Sequence, residues 1–143
     1  MYKRIGRKEF LEIARKTTFS TFDEIEAKNL GYKNCFDSLK KSKKWMSKYF
    51  VFESTSGSIL ALGVLERDGN FAFYVTNENY KNILPLYRQI KDFINSVVSS
   101  CGGIVTEVSP LHKEAIRMLK MLGFKVVSKS DKSFKYAIEE PNG

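Results

Sequence analysis

The chain has 143 residues, 43% apolar and 28% charged, with a formal net charge of +8, the size and texture of one globular domain spanning 1–143. No apolar run approaches the roughly 18 residues of a membrane helix, and Met1–Gly6 lacks the apolar core of an export signal. Cys35 and Cys101 are too few for a disulfide framework and have no neighbours at metal-ligand spacing, so the expectation is a cytoplasmic protein with no membrane partner and no metal.

In chain order, Tyr2–Ile5 reads as a first strand ending at Gly6. Arg7–Lys16 reads as a helix, with Phe10, Leu11, Ile13 and Ala14 forming its apolar stripe. Ser20–Lys28 is a second short helix, opened by Ser20 or Thr21 and stopped at Gly31. Phe36–Lys48 has Phe36, Leu39, Lys43 and Met46 at helical spacing, which predicts a third. Here the charge peaks: residues 1–48 carry 13 Lys/Arg against 6 Asp/Glu, and the remainder 11 against 10. The run Lys40-Lys41-Ser42-Lys43-Lys44 is either a solvated helix face or a polyanion contact. With Trp45, Tyr49 and Phe50 following, nucleic-acid contact through Lys40–Lys44 is one reading of it.

Tyr49–Glu53, Ile59–Leu65 and Phe71–Thr76 then read as strands of an antiparallel meander, with Asp68-Gly69 as a tight turn. Residues 80–98 return to helical period. Pro85 has no amide proton and suits a first turn, so the helix is expected to start near Leu84, with Asn77–Asn82 as a loop. Gly102-Gly103 ends it. Ile104–Val108 is a buried strand, Leu111–Leu122 a helix closed by Gly123, and Phe124–Lys129 and Phe134–Ile138 two final strands. A meander, a β-α-β crossover and a terminal helix with a hairpin imply an α/β fold: a mixed sheet with helices on its faces.

The stretch His112-Lys-Glu-Ala-Ile-Arg-Met-Leu-Lys-Met-Leu-Gly-Phe124 resembles the GNAT acyltransferase signature N-x-x-A-x-x-x-Y-x-x-x-G-F at Ala115, Gly123 and Phe124. The order of elements is similar to that family across nearly the whole chain. The resemblance implies a mixed, mostly antiparallel sheet with a V-shaped splay between its central strands. A narrower likeness is to the GNAT-like internal virion proteins of podophages. It rests on Glu24–Lys28 before a glycine, Phe73–Thr76 at a strand end, and the helix end Leu119–Gly123. This likeness implies phage or host proteins as partners, docked on the basic N-terminal third, and a cytoplasmic or virion-associated location.

In GNAT enzymes a strand edge pairs with the pantetheine arm of acetyl-CoA and a glycine-rich loop cradles its pyrophosphate at a helix N-terminus. The resemblance places cofactor contacts at Phe73, Tyr74, Val75, Lys81, Arg88 and His112. The loop from Asn77 to Arg88, however, contains no glycine to allow close backbone approach, and Glu78 adds a negative charge. The position of the family's thiolate-protonating Tyr is Leu119, which has no proton to donate. His112, the sole histidine, reads as a residue at the start of an exposed helix; His112, Tyr74 and Glu107 are the remaining acid–base candidates. Tyr80 and Tyr87, like Tyr74, are candidates for a displaced acid, at a spacing that equally suits core packing. Glu66, Glu78 and Glu107 are the carboxylates expected near the cleft. The leading expectation is a GNAT scaffold with a degenerate acetyl-CoA site, serving as a non-catalytic binding or virion-assembly protein. The alternative is an active, divergent acetyl-CoA-dependent N-acetyltransferase.

Overall fold

The structure is a computed structural model, and it describes residues 2–41, 47–76, 83–131 and 133–139. The elements run β1 (Tyr2–Ile5), α1 (Arg7–Lys16), α2 (Thr21–Asn29), α3 (Cys35–Lys40), β2 (Ser47–Glu53), β3 (Ile59–Glu66), β4 (Phe71–Val75), α4 (Ile83–Cys101), β5 (Ile104–Val108), α5 (Lys113–Met121), β6 (Lys125–Lys129) and β7 (Phe134–Ile138). No helix among the described residues is long and apolar enough to cross a membrane.

The order expected from the sequence is the order found, and the differences have local causes. Helix α3 stops at Lys40, not Lys48, because Ser47 and Lys48 pair with Glu66 and Leu65 and so belong to β2. Lys43, Lys44, Trp45 and Met46 lie outside the described residues, as do Asn77–Asn82, which include Lys81, Glu78 and Tyr80. Helix α5 starts at Lys113, not Leu111, because His112 is its N-cap. Strand β6 starts after Phe124, whose amide donates to Leu119 O at 2.9 Å while the Gly123 amide donates to Lys120 O at 3.1 Å. These two bonds close α5 in a Schellman turn around Gly123, which sits at φ 96°. Pro85 falls in the first turn of α4.

The strands form two antiparallel sheets, β1-β2-β3-β4 and β5-β7-β6. They meet side by side at one parallel bridge, Asn70 to Val105. There the Val105 amide donates to Gly69 O at 2.8 Å. A Cβ on Gly69 would stand 3.1 Å from Gly103 O, and its φ is 94°, so both the turn and the junction require glycine. Thr106 Oγ1 donates to Phe71 O at 2.8 Å. Past this contact no ladder joins β4 to β5 among the described residues, and the two sheets part here as the expected V.

Helices cover both faces. α1, α2 and α3 bury Phe10, Ala14, Ala27, Cys35 and Leu39 against Tyr49, Val51, Leu62, Val64 and Tyr74 on one side. α4 buries Leu86, Ile90, Phe93, Ile94, Val97 and Val98 against Phe50, Phe52, Phe71 and Ile104 on the other. Phe93 is the centre of an aromatic cluster, with ring centroids 4.7 Å from Phe50, 5.1 Å from Phe71, 5.3 Å from Tyr2 and 5.5 Å from Phe52. Phe93→Ala empties the point where α4 meets β1, β2 and β4. It is expected to cost about 3–5 kcal/mol, read as a lower urea midpoint with an unchanged slope.

Candidate active site at the strand splay

Backbone parity sets what β4 presents to the V. The Thr76 amide donates to Leu60 O at 3.0 Å and the Glu66 amide to Asn70 O at 2.8 Å. In this register Ala72 and Tyr74 also turn their amides and carbonyls toward β3. Phe71, Phe73 and Val75 turn theirs away, into the splay. Phe71 O is taken by Thr106. Among the described residues, nothing meets the backbone groups of Phe73.

Val75 is occupied from within the chain. Its carbonyl accepts from the Ser20 amide at 2.9 Å, and its amide donates to Asp23 Oδ2 at 2.7 Å. Phe19 and Thr76 form an antiparallel bridge alongside. Across the V, the Ser109 amide, just past β5, donates to Glu26 Oε1 at 2.8 Å. Helix α2, N-capped by Ser20, whose Oγ accepts from the Asp23 amide at 3.1 Å, thus sends one carboxylate to each arm. Between them stands His112, whose Nε2 lies 3.1 Å from Asp23 Oδ1 and 3.7 Å from Glu26 Oε2. Its Nδ1 accepts from the Ala115 amide at 3.4 Å, so in the neutral ring the proton sits on Nε2 and faces the carboxylates.

His112 is therefore not the surface residue expected at the start of an exposed helix. It is 8% exposed, and Asp23 and Glu26 are each 6% exposed. The two carboxylates were not among those expected at the cleft. Their signal is an inverted helix: α2 turns Asp23 and Glu26 inward and leaves Phe22 and Ile25 on its outer side, 51% and 50% exposed.

Two cavities flank the clamp. One, of about 100 Å³, lies between β4, β5, α4 and α5, and is lined by Asp23, Glu26, Phe73, Val75, His112 and Leu119 among others. The second, of about 150 Å³, opens on the α2–α3 side beside Tyr32, Ser38, Glu66 and Tyr74. Glu26, Phe71, Phe73, Thr106 and Glu107 line both. Of the residues singled out from the sequence, Phe73, Val75, Glu107 and His112 come together around the first cavity. Tyr74 points to the opposite face, where its hydroxyl shares a 2.8 Å hydrogen bond with Ser38 Oγ and burial pushes its phenol up. Glu107 is exposed, 4.0 Å from Lys135 Nζ. Arg88 is exposed on α4, and the Tyr87 hydroxyl donates to Met121 O at 3.3 Å. Lys81 lies outside the described residues. Cys35 is buried, and burial pushes its thiol up, away from reactive thiolate character.

Burial pushes the Glu26 carboxyl up to about 7, against the pull of His112 and the Ser109 amide, while the nearby Asp23 adds to the rise. An acid raised on folding favours the folded state while it is protonated. That advantage fades as pH rises from the unfolded value of 4.5 to about 7. Glu26→Gln cannot ionise. Across that window the wild type is expected to lose up to about 3 kcal/mol relative to Glu26→Gln, measured as urea midpoints over a pH series; parallel profiles contradict the shift.

Neither a protein-family model nor a curated protein sequence matches the chain. Solved structures do match in shape. An Escherichia coli N-acetyltransferase specific for a ribosomal-protein alanine superposes with TM-score 0.68 at 11% identity, over 100% of this chain and 96% of that one. The Vibrio cholerae spermidine N-acetyltransferase in complex with CoA and spermine superposes with TM-score 0.66 at 12% identity, over 96% and 94%. A Staphylococcus aureus N-acetyltransferase gives 0.63 at 13%, over 97% and 96%. Overlap of this extent with acetyltransferases shows the architecture: the chain has the GNAT fold.

Proposed function

We propose that this GNAT-fold chain is a non-catalytic binding or assembly protein whose acyl-CoA slot is closed by its own side chains. The observation that carries this reading is the Asp23 carboxylate on the Val75 amide, with the Ser20 amide on the Val75 carbonyl. These are the backbone groups with which a pantetheine arm would pair at the end of β4. The residues present do not fit acetyl-CoA in other respects either. Leu119 lines the cavity at the position of the family's proton-donating Tyr, and a space of about 100 Å³ is well below the roughly 300–1,000 Å³ of ordinary ligand pockets.

The short likenesses to podophage internal virion proteins support phage or host proteins as partners. The charge of the N-terminal third supports its use as the docking face. Nucleic-acid contact at Lys40–Lys44 rests on the sequence alone, since only Lys40 and Lys41 of that run are described.

The second reading is a divergent N-acyltransferase. It is favoured by the two cavities that meet at Phe73, Thr106 and Glu26 on opposite sides of the V, and it requires α2 to withdraw from β4. Titration calorimetry with acetyl-CoA, paired with a thiol-release assay over polyamine and peptide amines, separates the two. The expected outcome is no heat and no CoA release, and no rise in melting temperature at millimolar acetyl-CoA. Micromolar binding with amine-dependent CoA release establishes the second reading instead.

A further inference from the structure

We propose that Asp23, Glu26 and His112 form a binding site for one divalent transition-metal ion of the zinc class, set at the mouth of the splay. The inference goes beyond the proposed function and holds whether or not acyl-CoA binds.

Three side chains converge: Asp23, Glu26 and His112 each offer one ligand atom, and the three atoms lie within 4.8 Å of one another. A zinc ion held at about 2.0–2.2 Å by oxygen and nitrogen in tetrahedral geometry sets its ligands roughly 3.3–3.5 Å apart. The 3.1 Å and 3.7 Å separations of Asp23 Oδ1 and Glu26 Oε2 from His112 Nε2 bracket that span. Each carboxylate already has its outer oxygen fixed by a backbone amide, Val75 for Asp23 and Ser109 for Glu26. Outer hydrogen bonds of this kind aim the inner oxygens and are typical of metal ligands. The space agrees: all three residues line the same cavity of about 100 Å³, which gives an ion an approach to them.

Charge argues the same way. Two carboxylates more than nine-tenths buried face one imidazole, and among the described residues no Lys or Arg pairs with either. A buried carboxylate either holds a proton or takes a compensating cation. A dication supplies that charge at the point where the three atoms meet. Binding through Nε2 moves the ring proton to Nδ1 and gives up the long 3.4 Å bond from the Ala115 amide. The mixed oxygen and imidazole set favours zinc, cobalt or manganese over calcium, which takes six to eight oxygens.

The test uses the full, untagged chain stripped with chelator and titrated with Zn²⁺ against a chromophoric chelator, with Co²⁺ as a spectroscopic substitute. The expected result is one Zn²⁺ per chain and visible Co²⁺ bands of a four- or five-coordinate site. Asp23→Asn and Glu26→Gln are each expected to weaken Zn²⁺ at least about 10-fold, whereas Glu12→Gln, on the exposed side of α1, leaves it unchanged. Folding of each variant is checked by circular dichroism. Absence of stoichiometric Zn²⁺ in the wild type overturns the proposal, as does equal affinity in folded Glu26→Gln. If the variants do not fold, wild-type Co²⁺ decides alone, and a weak octahedral, aquo-like spectrum rejects the site.

Discussion

Two carboxylates of one short helix hold the open end of the sheet together. β4 and β5 are parallel neighbours for a single bridge and then separate, which leaves amides at their carboxyl ends facing a gap. A buried amide with no acceptor costs about as much as a lost hydrogen bond or more. Here Asp23 and Glu26 serve that edge, one on each arm, and His112 joins them. The helix that covers one face of the sheet thereby also closes the cleft through it. The cavity beside α5, the two buried acids and the His112 cap of α5 all meet at this clamp.

Closing a cleft with two carboxylates creates an electrostatic problem of its own. Two anions in a buried site repel one another, and one imidazole proton cannot neutralise both. The site resolves this by holding protons at Glu26 or by taking up a cation between the three side chains. Both arrangements leave the backbone bonds to Val75 and Ser109 intact, so both keep the V closed. Fold likeness at 11–15% identity to acetyltransferases fixes the architecture, while function resides in what the site presents. What this site presents at the end of β4 is an edge already paired.

Most of the architecture was legible in the amino-acid pattern, because strands and long helices write their burial into periodicity. The meander, α4 with its first-turn proline and α5 with its Gly123 closure follow from spacing alone. Helix α3 was overextended because Phe36 and Leu39 continue in register to Met46, whereas cross-strand pairing claimed Ser47 and Lys48. The parallel junction at Gly69 and Gly103 left only two glycines as its trace. The clamp was hidden for a different reason. An acidic helix reads as solvated, and nothing local shows that Asp23 and Glu26 lie over a gap in a sheet whose arms are formed by Val75 and Ser109, some 50 and 80 residues away. Phe22 and Ile25 on the same helix were the available hint, since apolar residues facing outward leave the polar side to face in.

The most direct measurement of the closed edge is amide hydrogen exchange at Val75, resolved by NMR, with and without acetyl-CoA. A Val75 amide donating to Asp23 is protected in the ligand-free protein, loses that protection in Asp23→Ala, and does not change when acetyl-CoA is added. A Val75 amide that exchanges freely in the absence of ligand and becomes protected only on adding acetyl-CoA contradicts the account, because the edge would then be open and waiting for the cofactor.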